Sequence, residues 1–146
     1  MLSTNQKGAL AEAAIVHAAL KLGLDVYRPV SEGGRCDLIF GIDSRLVRVQ
    51  CKLAFRRGDV LEVRLYSSRR SRAGCVRRAY TTDDVDAIAA YSVELDRCFL
   101  LPMNRFEGSL SVSLRLARAR NNQRRGVNNA DDFSLESLNL GSYPGP

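Results

Sequence analysis

Apolar positions recur at helical spacing early in the chain and alternate thereafter, and the change of period divides the chain into elements. From Ser3 to Leu22 the residues Leu10, Ala14, Ile15, Ala18 and Leu22 fall on one helical face, a narrow small-residue stripe suited to packing on a sheet. Ser3 and Gln6 stand at capping-box spacing, and Gly23 is a natural stop. Asp25 to Val30 reads as a short strand and Ser31 to Arg35 as a loop. Cys36–Phe40 and Leu46–Leu53 alternate as strands around the turn Gly41–Arg45, with Val47, Val49 and Cys51 toward a core and Arg48, Gln50 and Lys52 on the other face. Val60 to Tyr66 predicts a third strand completing a meander. Ser67 to Arg78 is polar and Arg-rich, a loop expected to be mobile until it meets a ligand. Thr81 or Thr82 predicts the cap of a second helix, with Asp83 and Asp84 in its first turn and Val85, Ile88, Ala89 and Val93 on its apolar face. Arg97 to Leu101, closed by Pro102, and Ser111 to Leu116 are further strands. This order predicts an α/β protein with a mixed central sheet flanked by α-helices.

At 146 residues and 45% apolar content, one domain spanning 1–146 with a substantial core is expected. The segment from about 117 onward is basic and polar, with Leu135, Leu138 and Leu140 as its only anchors. It is expected to contact DNA or mediate oligomerisation. No apolar run approaches the roughly 20 residues that span a bilayer, and no signal peptide is evident. The expectation is a cytoplasmic protein, or one associated with an organelle or nucleoid, neither secreted nor bound to membrane. Cys36, Cys51, Cys75 and Cys98 lack zinc-site spacing, which argues for reduced thiols. The single histidine, His17, lies mid-helix among alanines, a poor place for a Ser-His-Asp triad.

Charge changes the picture more. Net charge is +6, and 19 of the 22 basic residues are arginine, the better fork for phosphate and for guanine edges; a GC-rich genome would produce the same bias. Arg69, Arg70, Arg72, Arg77 and Arg78 fall within ten residues; Arg115, Arg118, Arg120, Arg124 and Arg125 fall within eleven. Two such clusters favour a nucleic-acid partner.

Ahead of both clusters lies a constellation with its own chemistry. If the first two strands pair, Asp37 comes close to Gln50 and Lys52. Phosphodiester hydrolysis needs a metal to polarise phosphate and a cation near the developing charge. Asp37 supplies an anionic oxygen, Gln50 a neutral one, and the Cys51 backbone a carbonyl, a donor set suited to Mg²⁺. Lys52 supplies the cation. A second acid is required, and Glu12 on the first helix is the candidate. Plainer roles compete: Asp37 as a structural acid paired with Arg35 or Arg48, Lys52 as a sheet-edge residue, Asp84 as a cap, and Asp86 as a surface or ion-paired acid.

With these residues placed, the chain resembles the PD-(D/E)xK nuclease superfamily, and within it the group I intron-encoded homing endonuclease branch that carries Gln in place of the usual second acid. The matching pieces are Lys7-Gly8 and Glu12, Cys36-Asp37, Val49-Gln50-Cys51-Lys52, Val85 to Tyr91, Cys98 to Pro102, and Asn121-Asn122-Gln123. Cys36 replaces the usual Pro before the Asp. The resemblance implies a restriction-endonuclease-like core and double-strand cleavage that depends on Mg²⁺, with Mn²⁺ as substitute. It also implies a homo-oligomer, dimer or tetramer, acting on a long site in double-stranded DNA. The competing functions are a structure-selective junction resolvase, which typically keeps an acid at the position of Gln50, and a DNA-binding module without catalysis.

Overall fold

The computed structural model describes residues 1–117 and 127–137. Arg118, Arg120, Arg124, Arg125, Leu138, Leu140 and the Asn121-Asn122-Gln123 stretch, all singled out from the sequence, lie outside the described residues. Helix α1 (Thr4–Lys21) begins on the capping box read from the sequence: the Ser3 hydroxyl accepts from the Gln6 N–H, and the Gln6 side chain accepts from the Ser3 N–H. It ends at Gly23, whose φ of 81° is a conformation that glycine adopts without strain. Ala11, Ile15 and Ala19 form its buried stripe; of the stripe expected only Ile15 is fully buried, with Leu10, Ala14, Ala18 and Leu22 packed partly buried beside it, and His17 is exposed.

Strands β1 (Asp25–Tyr27), β2 (Leu38–Ile42), β3 (Arg45–Leu53), β8 (Ala87–Ser92) and β9 (Arg97–Pro102) form a five-stranded sheet in the order β1-β2-β3-β8-β9. The sheet is mixed: β3 and β8 run parallel, and every other pair is antiparallel. The hairpin between β2 and β3 turns on Asp43, which adopts a φ of 54°, so its connection is tighter than the five residues expected. Gly41 lies inside β2 instead, where a side chain would come within 3.2 Å of the Asp25 Cβ.

Helix α1 covers one face, packing Ala11, Ile15 and Ala19 on Val47, Val49, Ala87 and Ala89. A second sheet covers the other: β4 (Phe55–Arg57), β5 (Val60–Arg64), β10 (Ser111–Arg115) and β11 (Asn128–Asn129), in the order β11-β10-β5-β4. Leu61, Val63, Val112 and Leu114 from this sheet meet Ile88, Ala90, Phe99 and Leu101. The short helix α2 (Met103–Phe106) closes this core, and Phe106 packs on Phe133 with ring centroids 5.5 Å apart.

Three further expectations are corrected. Val60–Arg64 is not the third strand of a meander with β2 and β3; it belongs to the second sheet. The second helix does not form. Thr81–Asp84 makes a single turn, and the residues after it enter β8, six consecutive buried positions. Ala87 and Ala89 serve one core and Ile88 and Ala90 the other, so a strand buried on both faces loses the alternation that would mark it. Asp86 enforces the change by accepting from the Arg48 backbone N–H at 2.8 Å while its own N–H donates to the Arg48 carbonyl at 2.9 Å. Finally, Ser67–Arg78 is no loop but most of an antiparallel hairpin, β6 (Tyr66–Ser71) and β7 (Gly74–Ala79), forming a separate two-stranded sheet.

Candidate active site

Strand β3 carries the site by its period of two. Val47, Val49 and Cys51 are buried against α1, and the opposite face presents Arg48, Gln50 and Lys52. Asp37 immediately precedes β2, one step beyond the Leu38–Val49 pair, which sets it beside Gln50. Its backbone N–H donates to the Val49 carbonyl at 2.9 Å, and its Oδ2 accepts from the Cys51 N–H at 3.1 Å. The carboxylate thus stands where the sheet ladder would continue. Oδ1 has no hydrogen-bond partner among the described residues.

The residues come together at a cleft of about 770 Å³ between the N-terminal half of α1 and the base of the β6–β7 hairpin. Glu12, Asp37, Gln50, Cys51 and Lys52 all line it, with the cations Lys7 and Arg64 at its margin. A smaller cleft of about 320 Å³, formed with the 28–36 loop, shares Glu12 and Asp37. Glu12 Oε1 accepts from Arg28 Nε at 3.0 Å, a partner the sequence pattern did not reveal.

Burial raises the Asp37 carboxyl above its ordinary range; the Cys51 N–H opposes this, the nearby Glu12 charge adds to it, and Lys52 partly offsets it. Burial lowers the Lys52 ammonium, against the attraction of Asp37, and the charges of Arg35 and Arg64 lower it further. Lys52 Nζ donates to the Tyr66 carbonyl at 3.0 Å and lies 5.2 Å from the centre of the Tyr80 ring. Gln50 Oε1 is buried with no hydrogen-bond partner among the described residues. An unpaired buried acceptor is costly.

These features fit a hard divalent cation. Two carboxylates of like charge, an orphaned amide oxygen and backbone carbonyls are the oxygen donors that such an ion takes. Among the described residues no three His, Cys, Asp or Glu side chains converge, so the neutral Gln50 oxygen would complete the set.

The plainer roles resolve elsewhere. Arg35 pairs with Asp84 at 2.9 Å and Arg48 with Asp86 at 3.0 Å, so neither takes Asp37 as its partner. Burial works against the Asp86 charge, but its bonds to Arg48 outweigh this and hold the carboxyl below its usual range. Lys52 lies on β3, an interior strand, and is no edge residue. Arg69, Arg70, Arg72, Arg77 and Arg78 stand together on the hairpin, outside the cleft lining.

A mixed sheet thus brings a carboxylate, an amide and an ammonium together at one cleft. The sequence matches the family described as PD-(D/E)XK endonuclease over residues 2–136, and the chain belongs to that family. It is a nuclease, and DNA is its substrate. Nucleases of this family generally work with divalent metal ions. Among solved structures, a bacterial homing endonuclease, I-Ssp6803I, is similar at a TM-score of 0.72 and 26% identity, over 91% of this chain and 89% of that one. No curated protein matches significantly. No helix among the described residues is long and apolar enough to cross a membrane.

Proposed function

We propose that the chain is a homing endonuclease: a metal-dependent, site-specific enzyme that makes double-strand breaks in DNA by hydrolysing phosphodiester bonds. Glu12, Asp37, Gln50 and the Cys51 backbone carbonyl would hold Mg²⁺, with Mn²⁺ as a substitute. The observation that carries this reading is the buried, unpartnered Gln50 Oε1 beside an Asp37 oxygen that no other described residue engages. When bound, the ion would polarise the scissile phosphate and acidify a water. The chain's own groups do the remainder. The Asp37 carboxylate is held in place by the Cys51 N–H at 3.1 Å. The Lys52 ammonium spends one N–H on the Tyr66 carbonyl and has two left for a non-bridging phosphate oxygen, where charge develops in the transition state. Lys7 and Arg64 at the cleft margin supply charge for the flanking phosphates.

Cutting both strands calls for two such sites, and the chain has one Gln-x-Lys pair, so the acting species is a homodimer or a dimer of dimers. The whole 1–146 unit acts as one nuclease domain, and the basic segment from about 117 contributes DNA or subunit contacts. A supercoiled-plasmid library tests the function: with Mg²⁺ the protein should linearise a sequence-defined subset, and with chelator none. Binding without cleavage in Mg²⁺ would favour the non-catalytic module.

A further inference from the structure

The β6–β7 hairpin is the part of the fold that the core does not use. Every residue from Ser68 to Arg78 is exposed, on both faces of the ribbon. A two-stranded hairpin with no apolar support is marginal in water, so something must hold it and something must compensate for building it. What holds it is a clamp at its base, where Tyr66 pairs with Ala79. Lys52 donates to the Tyr66 carbonyl at 3.0 Å on one strand. Arg35 donates to the Ala79 carbonyl at 3.1 Å and the Arg78 carbonyl at 2.8 Å on the other, and to the Ser67 hydroxyl at 3.2 Å. Arg35 also stacks over the Tyr80 ring, 4.1 Å from its centre.

Beyond the clamp the ribbon carries five arginines and no acid between Tyr66 and Ala79. Residues opposite one another in the register share a face. One face presents Ser67, Arg69, Ser71, Gly74, Val76 and Arg78, and its base is turned to the protein body through the Ser67–Arg35 bond and the Arg78–Asp84 ion pair at 4.0 Å. The other presents Tyr66, Ser68, Arg70, Cys75, Arg77 and Ala79. Tyr66 and Ser68 on that face line the catalytic cleft, joined from the other face by Ser67 alone, and Arg77 lies over the Tyr66 ring at 4.8 Å. That face is continuous with the site where the scissile phosphate would lie.

Resting on the endonuclease reading, we propose that this ribbon enters the DNA major groove beside the cut and that Arg70 and Arg77 read base edges there. The major groove is about 12 Å wide and admits a two-stranded ribbon, whose strands are about 5 Å apart. A guanidinium fork matches O6 and N7 of guanine. Arg69, on the opposite face, and Arg72, at the tip, contact phosphates.

Selection from a random duplex library, performed in chelator so that no cleavage is needed, tests this with the full-length protein. Arg70→Ala with Arg77→Ala removes both guanidinium forks, whereas a lysine could still reach guanine O6 and N7. It should lose discrimination at a short block of adjacent base pairs by about 5- to 150-fold per lost contact. Methylation of guanine N7 in that block should weaken wild-type binding and leave the variant indifferent. Arg69→Gln with Arg72→Gln should weaken all sequences alike and lower the slope of log K against log salt by about 0.9 per phosphate lost. Unchanged base preference in the variant lacking Arg70 and Arg77 overturns the proposal, as does a wild-type preference limited to A·T against G·C, which belongs to the minor groove. Sequence-selective binding by a wild type that never cuts would defeat the catalytic reading while the ribbon assignment stood.

Discussion

Asp37 and Gln50 are placed at a cost to stability. The raised Asp37 carboxyl means that the folded protein holds this proton to higher pH than the unfolded chain does. Its stabilising contribution is therefore present below the unfolded pKa and lost as pH rises through the folded one. Asp37→Asn keeps an acceptor for the Cys51 N–H and removes the half-buried charge. Without metal it should be more stable than wild type at pH 7, within the range of about 0.5–2 kcal/mol of a single stabilising substitution. The gap should close as pH falls, and cleavage should be lost. Thermal melts across pH check this; a variant less stable at pH 7 would contradict it. For Gln50, whose Oε1 has no partner among the described residues, Gln50→Glu should tighten binding of Mg²⁺ in calorimetry, because a charged oxygen replaces a neutral one at the same place. Unchanged affinity would mean that this side chain does not meet the ion.

At the scale of elements, Arg35 ties together the loop before Asp37, the hairpin base and the turn bearing Asp84. Arg35→Ala leaves a largely buried Asp84 carboxylate without its main partner and should cost about 3–5 kcal/mol of stability in denaturant titration. It should also speed tryptic cleavage at Arg72, on the hairpin tip; wild-type proteolysis would show that the clamp does not hold the ribbon. None of this was legible in the sequence, because Arg35 acts on backbone carbonyls some 44 residues away and no local pattern encodes such a bond. The hairpin was opaque for a related reason: Ser68 to Arg78 meets no core on either face, so it lacks the alternation that marks a half-buried strand. Strand β8 was opaque in the opposite sense, being buried on both faces. What could be read lay where one face meets core and the other does not. The α1 cap followed from residue spacing, and the α1 stripe only in part, Ile15 alone being both expected and fully buried; the β2–β3 hairpin and the placing of Asp37, Gln50 and Lys52 followed from period, since Val47, Val49 and Cys51 fix which way β3 faces.

On the scale of the whole molecule, α1, the mixed sheet and the second sheet leave the cleft lined by Asp37, Gln50 and Lys52 open at one end, with the basic hairpin beside it. On the proposed function, one cleft cuts one strand of a duplex and the cleft of a partner copy cuts the other. Light scattering should report a dimer or tetramer, with or without DNA; a monomer in both states that still makes double-strand breaks would contradict this. The central claim, that the Asp37–Gln50–Lys52 cleft hydrolyses DNA, is tested most directly by Lys52→Ala. Lys52 belongs to neither hydrophobic core, and its loss frees the Tyr66 carbonyl and the contact with the Tyr80 ring. On a plasmid that wild type linearises in Mg²⁺, the variant should still bind within a few-fold of wild type but cut at least about 100-fold more slowly. Near-native cutting by a folded Lys52→Ala protein would place the chemistry elsewhere.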